Sequence, residues 1–341
     1  MKPLNGINVV EFAGIGPAPF ACMLLSQMGA HVTRIARPNQ VVSMGTQATL
    51  VGREIIEIDL KSETGMKEVR RRISQAHVLV EGFRPGVMER LGLGPEACFA
   101  LRPSLVYGRM TGWGQSGPMS SMAGHDINFI AITGALAAIG EAGRKPAIPS
   151  NLVGDLGGGA LYLALGIVAA LVDARVSGRG RIVHAAIVDG TLSMLTGAFG
   201  ILAATGARNE RGTSLLNGGV PWYDTYETAD GGYMALGAIE PEFYRCFCQQ
   251  AGLEPEWIAA QHEEARWPAL RARLTKLFRS RTRDEWAVCF DGTDSCCVPV
   301  LSLDEAAEHP HLQARGVFHF TDGQPRPAPA PRFLDYPPPR R

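Results

Sequence analysis

An excess of charge of either sign is missing from this 341-residue sequence, in which 33 Lys and Arg residues balance 33 Asp and Glu residues. A net charge of zero provides no field to attract nucleic acid or an anionic membrane surface, so neither is expected as a partner. Apolar runs long enough for a confident membrane span are also missing. The longest uncharged runs, 156–172 and 191–207, have 17 residues each with internal glycines, and both are predicted to be core helices.

Cysteine pairs with the C-x-x-C spacing of zinc and redox sites are missing too, although the chain contains seven cysteines. They are expected to be reduced thiols that act as small apolar residues, and no metal site is expected. The N-terminus enters a strand pattern without an apolar leader, and no peroxisomal tripeptide ends the chain. We therefore expect a cytoplasmic location.

What the chain does contain, over its first 110 residues, is an alternation of apolar strands and helices. Such alternation predicts an α/β fold, with a largely parallel sheet covered by helices on both faces. The first strand leads through a glycine turn into a helix that ends near Met28. Strands are predicted at 7–13, 31–36, 55–61, 78–81 and 105–108.

The first turn, Gly14-Ile15-Gly16-Pro17, invites a dinucleotide-binding interpretation, and two features argue against it. The third glycine of that fingerprint is replaced by Pro19. The second strand ends with Arg34 and Arg37, where an acid would bind the ribose. A basic strand end suits a phosphate group, so a nicotinamide-dependent oxidoreductase is the least favoured function.

Basic residues recur at or just past the predicted strand ends, at Arg37, Lys61 and Arg84, with Arg90 close behind. Any one of them is also explained as solvated surface charge. Parallel sheets bind ligands beyond the carboxyl ends of their strands, and guanidinium groups match phosphate geometry. The shared placement therefore favours a polyphosphate ligand.

The stretch 150–159, SNLVGDLGGG, precedes an apolar helix and places Asn151 and Asp155 at its positive end. Its three glycines either let a ligand approach the backbone or let a capped core helix pack tightly. His125 begins another apolar helix, and Glu240 stands between a strand and a helix that begins at Pro241. Structural roles remain open for both residues.

The chain after 190 changes character. Two strands are predicted around the turn 229–231, and proline clusters near the C-terminus indicate an extended strap. The predicted divisions are a large domain over 1–190, a linker helix and loop over 191–222, a small α+β domain over 223–305 and a C-terminal strap over 306–341.

Four motifs in order, EGFRPGVMERLGLGPE (81–96), GHDINFIAITG (124–134), SNLVGDLGGG (150–159) and GGVPWYDTYETADGGYMALGAIEPEFY (218–244), carry a resemblance. They are similar to the α-methylacyl-CoA racemases of the class III CoA-transferase family, and the similarity runs from Leu4 to about Phe333. The resemblance implies a Rossmann-like large domain, a smaller α+β domain and an interlocked homodimer that binds an acyl-CoA substrate.

The resemblance also implies roles for individual residues. His125, with Glu240 as its hydrogen-bonding partner, would be one acid/base, and Asp155, with Asn151 beside it, the other. Phe129 stands where a Tyr is common in the racemases. The implied CoA-site residues are Arg37, Leu60, Lys61, Gly82, Phe83, Arg84, Arg90, Gly124 and Phe129.

The function implied is racemisation of 2-methylacyl-CoA thioesters, in which two acid/base groups exchange the α-proton through an enolate. The helix start at Asp155 is expected to supply donors to the enolate oxygen, and no cofactor is expected beyond the CoA of the substrate. One alternative is a CoA-transferase in which Asp155 forms an aspartyl-CoA thioester. A second alternative is a non-catalytic acyl-CoA binding protein.

Overall fold

A computed structural model describes residues 1–42, 44–207 and 210–334. The chain forms two compact units. Unit 1 comprises Met1–Leu136, Ile148–Gly200 and the segment from Pro329, and unit 2 comprises Ala137–Ala147 and Ile201–Ala328.

These units divide the chain at other points than the predicted boundaries. The linker 191–222 is split between the units, and most of the predicted strap belongs to unit 2. The segment Ala137–Ala147 joins unit 2 because Arg211 donates hydrogen bonds to the carbonyl oxygens of Ala137 (2.7 Å) and Arg144 (3.1 Å). Contacts between residues so distant in sequence leave no local pattern.

Unit 1 is built on a parallel sheet with the strand order β3-β2-β1-β4-β5-β6. This Rossmann-like order confirms the predicted α/β class and places the switch point between β1 and β4. The strands are β1 (Asn8–Phe12), β2 (His31–Ala36), β3 (Glu54–Glu57), β4 (Val78–Glu81), β5 (Val106–Thr111) and β6 (Arg181–Ala186).

Helices cover both faces of this sheet. Val9 and Val80 share one apolar cluster with Leu163, whereas Val10 and Leu79 share the other with Val69, as the alternation of side chains along a strand requires. Along the chain as far as Thr205, the helices are α1 (Pro17–Gln27), α2 (Met44–Thr49), α3 (Glu63–Gln75), α4 (Val87–Arg90), α5 (Pro95–Leu101), α6 (Asp126–Ile132), α7 (Ala135–Ala138), a π-helix (Leu152–Leu161), α8 (Tyr162–Ser177), α9 (Ile187–Met194) and α10 (Thr196–Thr205). Of these, α7 and α10 begin in unit 1 and end in unit 2.

A buried ion triad joins Glu11 on β1, Arg34 on β2 and Arg53, which directly precedes β3. The Glu11 carboxylate, with no exposed surface, accepts hydrogen bonds from Arg34 and Arg53, and Arg34 also donates to the carbonyl oxygen of Gly14 at 3.0 Å. Burial raises the pKa of Glu11, and the two arginines oppose that rise. Arg34 is therefore committed inside the protein, and the expectation that it helps to form a phosphate-binding strand end was wrong.

The two uncharged runs predicted as core helices are only partly buried. The π-helix and α8 form one stretch, Leu152–Ser177, which is the one single helix in the described ranges with the length and apolar content to cross a membrane, and 44% of its most apolar part is buried. A bent pair, α9 with α10, passes the same test if counted as one span. Core helices of soluble proteins pass it too. α10, described throughout, has no buried residue, so for this run the core prediction was wrong.

Unit 2 contains an antiparallel sheet with the order β7-β8-β9 around an aromatic core that includes Tyr244, Phe247 and Trp286. Between residues 303 and 327, where most of the predicted strap lies, the chain forms two short helices and a hairpin of β10 and β11. The strands are β7 (Tyr223–Glu227), β8 (Tyr233–Gly237), β9 (Cys297–Pro299), β10 (Phe318–Thr321) and β11 (Gln324–Pro327). The helices are α11 (Pro241–Ala251), α12 (Pro255–Ala259), α13 (Trp267–Phe278), α14 (Arg283–Phe290), α15 (Leu303–Glu308) and α16 (Pro310–Ala314), with 3₁₀ turns at Leu215–Asn217, Ala260–His262 and Glu264–Arg266.

Candidate active site

The loop Gly82–Arg84 leaves the carboxyl end of β4, next to the switch point of the sheet. The backbone N–H of Phe83 donates to the buried Glu81 carboxylate at 2.8 Å, and the Phe83 ring packs edge-on against Phe12. Arg109, opposite Glu81 on β5, donates to the same carboxylate at 2.9 Å. Burial raises the pKa of Glu81, and these two donors oppose that rise. The predicted CoA loop is thus fixed by a buried carboxylate.

The first turn of α1 connects this loop with Asp155. Ala18 lies beside Gly82, where a Cβ on the glycine would be 3.4 Å from that of Ala18. Gly16, just before α1, has φ 72° and ψ −128° and lies beneath the Asp155 carboxylate. Asp155 and the Gly82 loop therefore flank one helix start at the ligand-binding edge of the sheet.

Asp155 is carried by the π-helix, whose i→i+5 geometry appears in the 3.1 Å hydrogen bond from the Leu156 N–H to the carbonyl oxygen of Asn151. The glycines after Asp155 let this helix approach α9 closely, because a Cβ on Gly190 would overlap the carbonyl oxygen of Gly158. Gly158 is buried against Thr191 and Gly159 against Pro17. At these two positions tight packing was the right interpretation, and ligand approach was wrong.

Electrostatics make Asp155 suitable for proton transfer. Burial raises the pKa of Asp155 to about 6, and the like charge of Asp126 adds to the rise. A hydrogen bond from Asn151 and the positive charge of His125 act in the opposite direction. The structure thus brings Asp155, Asn151 and His125 within interaction range, and the pKa of Asp155 lies close to the ordinary value for histidine, about 6.5.

His125 precedes α6 as its N-terminal capping residue, and its backbone N–H donates to Oδ1 of Asn128 at 3.0 Å. The His125 residue is exposed, so its imidazole is accessible for proton exchange. Its position at the beginning of α6 confirms the predicted start of this helix.

Asp126 is a site residue that sequence reasoning missed. Its Oδ1 accepts a hydrogen bond from the backbone N–H of Asp155 at 2.6 Å. The backbone N–H of Asp155 is therefore already hydrogen-bonded. The expectation that the helix start at Asp155 donates to an enolate oxygen was wrong for this N–H group. The only signal in the sequence was an acid directly after His125. The same pattern is equally typical of an acid that stabilises the first turn of a helix.

Of the other predicted CoA residues in unit 1, Arg37, Leu60 and Lys61 follow strands, whereas Arg90 ends α4, Gly124 precedes α6 and Phe129 lies on α6. Phe129 is 6% exposed, and its ring lies against Trp113 with centroids 4.6 Å apart and fills the space next to Gly112 and Gly124. Its side chain belongs to the apolar core of unit 1. Arg37 follows β2, Leu60 and Lys61 lie between β3 and α3, and the side chains of Arg37, Lys61, Arg84 and Arg90 are exposed.

Glu240 lies in unit 2, where it is exposed and precedes α11 with Pro241 at the first helical position. The helix start there is as predicted. The role of Glu240 as the hydrogen-bonding partner of His125 stays a prediction. Among the described residues, no three or more His, Cys, Asp and Glu side chains are grouped to hold a metal ion.

The chain is similar to known proteins along almost its full length. It is 43% identical to the α-methylacyl-CoA racemase of Mus musculus over 97% of this chain and 86% of that protein, and 40% identical to that of Homo sapiens over 98% and 87%. A solved CaiB/BaiF family protein from Brucella suis has a TM-score of 0.80 at 25% identity, covering 98% of this chain and 93% of that one. The model of CoA-transferase family III matches residues 4–338, and the chain belongs to this family.

Proposed function

We propose that this protein is an isomerase that interconverts (2R)- and (2S)-2-methylacyl-CoA thioesters. The observation that carries the proposal is that Asp155, whose pKa is raised to about 6, lies within electrostatic range of His125 and against Gly16, in the turn after β1. Two relatives with 40% and 43% identity are α-methylacyl-CoA racemases, which supports the same activity here.

The chemistry requires two groups that each accept and donate one proton. In one direction, the Asp155 carboxylate takes the α-proton, and the C–H bonding electrons move into an enolate. The His125 imidazolium then returns a proton to the opposite face of the α-carbon. In the other direction the roles are reversed, so no atom is gained or lost and no co-reactant is required. Positioned acid/base groups contribute about 10²–10⁴-fold each.

Proton transfer in both directions is fastest when the two groups have similar pKa values, because neither transfer is then strongly uphill in free energy. The burial of Asp155 brings its pKa toward that of an imidazole, whereas a carboxylate nucleophile of a CoA-transferase gains nothing from being protonated near neutral pH. This favours racemisation over transfer through an aspartyl-CoA thioester. The exposed Arg37, Lys61 and Arg84 beyond the strand ends are proposed to bind the phosphates of CoA.

The proposal includes a homodimer, in agreement with the interlocked dimer that the resemblance implied. Its support is the outer face of α8 and the helical turn before it, where exposed apolar side chains recur at intervals of four and seven residues. These are Leu161, Leu165, Val172 and Val176. An exposed apolar patch of this kind is typical of a protein–protein interface, and we propose that a second copy of this chain covers it. A cytoplasmic location and independence from an added cofactor are part of the proposal and stay predictions.

The decisive experiment follows the α-proton of a 2-methylacyl-CoA in D₂O. The protein is expected to exchange this proton for deuterium and to racemise the thioester without any acceptor acid. A parallel reaction with a second carboxylic acid measures CoA transfer. Transfer without α-proton exchange in the acceptor-free reaction would replace the proposal by the transferase function, and binding without either reaction would leave only a binding protein.

A further inference from the structure

Asp126 connects the two elements that carry the acid/base pair. It is the first residue of α6, directly after His125, and it is only 8% exposed. Its Oδ1 accepts the 2.6 Å hydrogen bond from the backbone N–H of Asp155. The turn of the π-helix approaches so closely that a Cβ on Gly154 would overlap the Asp126 carboxylate. The contact is therefore specific to a glycine at 154 and an acceptor at 126.

Resting on the proposed function, we propose that Asp126 is a positioning residue that locks the helix start of His125 to the turn bearing Asp155. Through the bond to the Asp155 backbone, it fixes where that side chain points. Through its charge, it acts on the proton affinity of the same side chain. A residue that only caps its own helix would neither orient an acid on another helix nor change the proton affinity of that acid.

The charge of Asp126 is felt because its environment is dry. Its second oxygen, Oδ2, is buried and accepts no hydrogen bond from the residues that the structure describes. After burial itself, this charge is the largest cause of the raised pKa of Asp155. Asn151 and His125 lower that pKa. Asp126 thus offsets part of their effect and keeps Asp155 able to donate a proton near neutral pH.

Other titratable groups lie on the elements packed against the π-helix, and none of them contributes to the shifted pKa of Asp155. Substitutions of these groups can therefore serve as control variants for the pKa of Asp155. The groups are Cys22 on α1, Tyr162, Asp173 and Arg175 on α8, Asp189 on α9, Tyr107 and Arg109 on β5, and Arg181 and His184 on β6.

The test compares Asp126→Asn, which keeps an acceptor oxygen and removes the charge, with Asn151→Ala and Asp189→Asn. We expect Asp126→Asn to move the acid limb of kcat/KM for α-proton exchange to lower pH by roughly half to one unit, because a like charge near Asp155 is lost. Asn151→Ala should move the limb to higher pH. The exposed Asp189→Asn, a matched loss of one negative charge on α9, should leave it in place.

A second measurement does not depend on activity. The rate at which a carbodiimide modifies Asp155, followed by peptide mass spectrometry as a function of pH, reports the protonated carboxyl directly. The Asp126→Asn midpoint should fall by the same amount as the acid limb. An unmoved midpoint in a folded variant would reduce Asp126 to a structural cap and overturn the inference. A shifted midpoint in a protein without α-proton exchange would retain this inference about Asp126 and Asp155 while removing the proposed racemase.

Discussion

The carboxylate of Asp155 rests against the backbone of Gly16, so closely that a Cβ on Gly16 would lie 3.3 Å from Oδ2. The two residues are 139 positions apart in the sequence and meet because the π-helix packs against α1. Gly16 also has a backbone conformation, φ 72° and ψ −128°, that L-residues rarely adopt. A glycine is therefore required both by the turn and by the acid above it.

Gly16→Ala should impair both folding and catalysis. The backbone strain costs about 1–3 kcal/mol, and a displacement of Asp155 reduces kcat by about tenfold or more. Urea unfolding and α-proton exchange measure the two effects. Gly178→Ala is the control, since Gly178 also has a positive φ, 70°, but faces open space at the end of α8. It should lose some stability and keep its activity; equal activity losses in the two variants would contradict the role of Gly16.

Asp155→Asn should stabilise the fold at neutral pH while removing activity. The pKa of Asp155 is raised in the folded state, so the native protein binds more protons than the unfolded chain between about pH 4 and 6, and the free energy of unfolding falls as pH rises through that range. The partly buried carboxylate then costs about 1 kcal/mol at pH 7, after allowance for solvent screening. Urea unfolding of both proteins should show the gain at pH 7 and its disappearance below about pH 4. A variant that is less stable at pH 7 would contradict this.

His125→Ala should reduce α-proton exchange by about 10²–10⁴-fold, since one of two acid/base groups is lost. Binding of a CoA ester, measured by calorimetry, should be preserved because the strand-end arginines are untouched. His31→Ala provides a control at the amino end of β2, on the opposite edge of the sheet from the site. Unchanged turnover in His125→Ala would remove this residue from the mechanism.

Glu11→Gln should destabilise unit 1 by about 3–5 kcal/mol, because Arg34 and Arg53 would be left buried without a counter-charge. Urea unfolding gives the change in free energy. Glu68→Gln removes a carboxylate that also binds two arginines, Arg71 and Arg72, on the exposed side of α3, and little change is expected there. Similar losses in both variants would show that burial of the triad contributes nothing.

Leu165→Glu should weaken the proposed homodimer, because it places a charge in the middle of the exposed apolar face of α8. Sedimentation velocity should show a shift toward monomer at concentrations where the unmodified protein is dimeric. Lys67→Glu, on the exposed side of α3, is the control and should sediment as the unmodified protein does. α3 and α8 cover opposite faces of the sheet. A monomeric unmodified protein would contradict the homodimer directly.

Local patterns were sufficient for much of unit 1 and for the start of α11 in unit 2. Strand β2 has the predicted bounds, and His125 and Glu240 precede their helices as predicted, since capping and periodicity depend on neighbours within a few residues. Asp155 could be proposed as an acid/base from the sequence because the motif that contains it is continuous. The role of Arg34 could not be predicted from the sequence. An arginine at a strand end gives the same local pattern whether its side chain binds a phosphate or the buried Glu11.

The sequence by itself determined the α/β class, the positions of most strands and helices of unit 1, and the two groups proposed to exchange the proton. Only the tertiary structure decided which groups face each other: Asp126 against the Asp155 backbone, Gly16 beneath its carboxylate, and Gly158 against α9. The physical reason is range. The periodicity of helices and strands depends on residues that are close in the sequence. Burial and the neighbouring charges that set the pKa of Asp155 come from elements that meet only when the chain has folded.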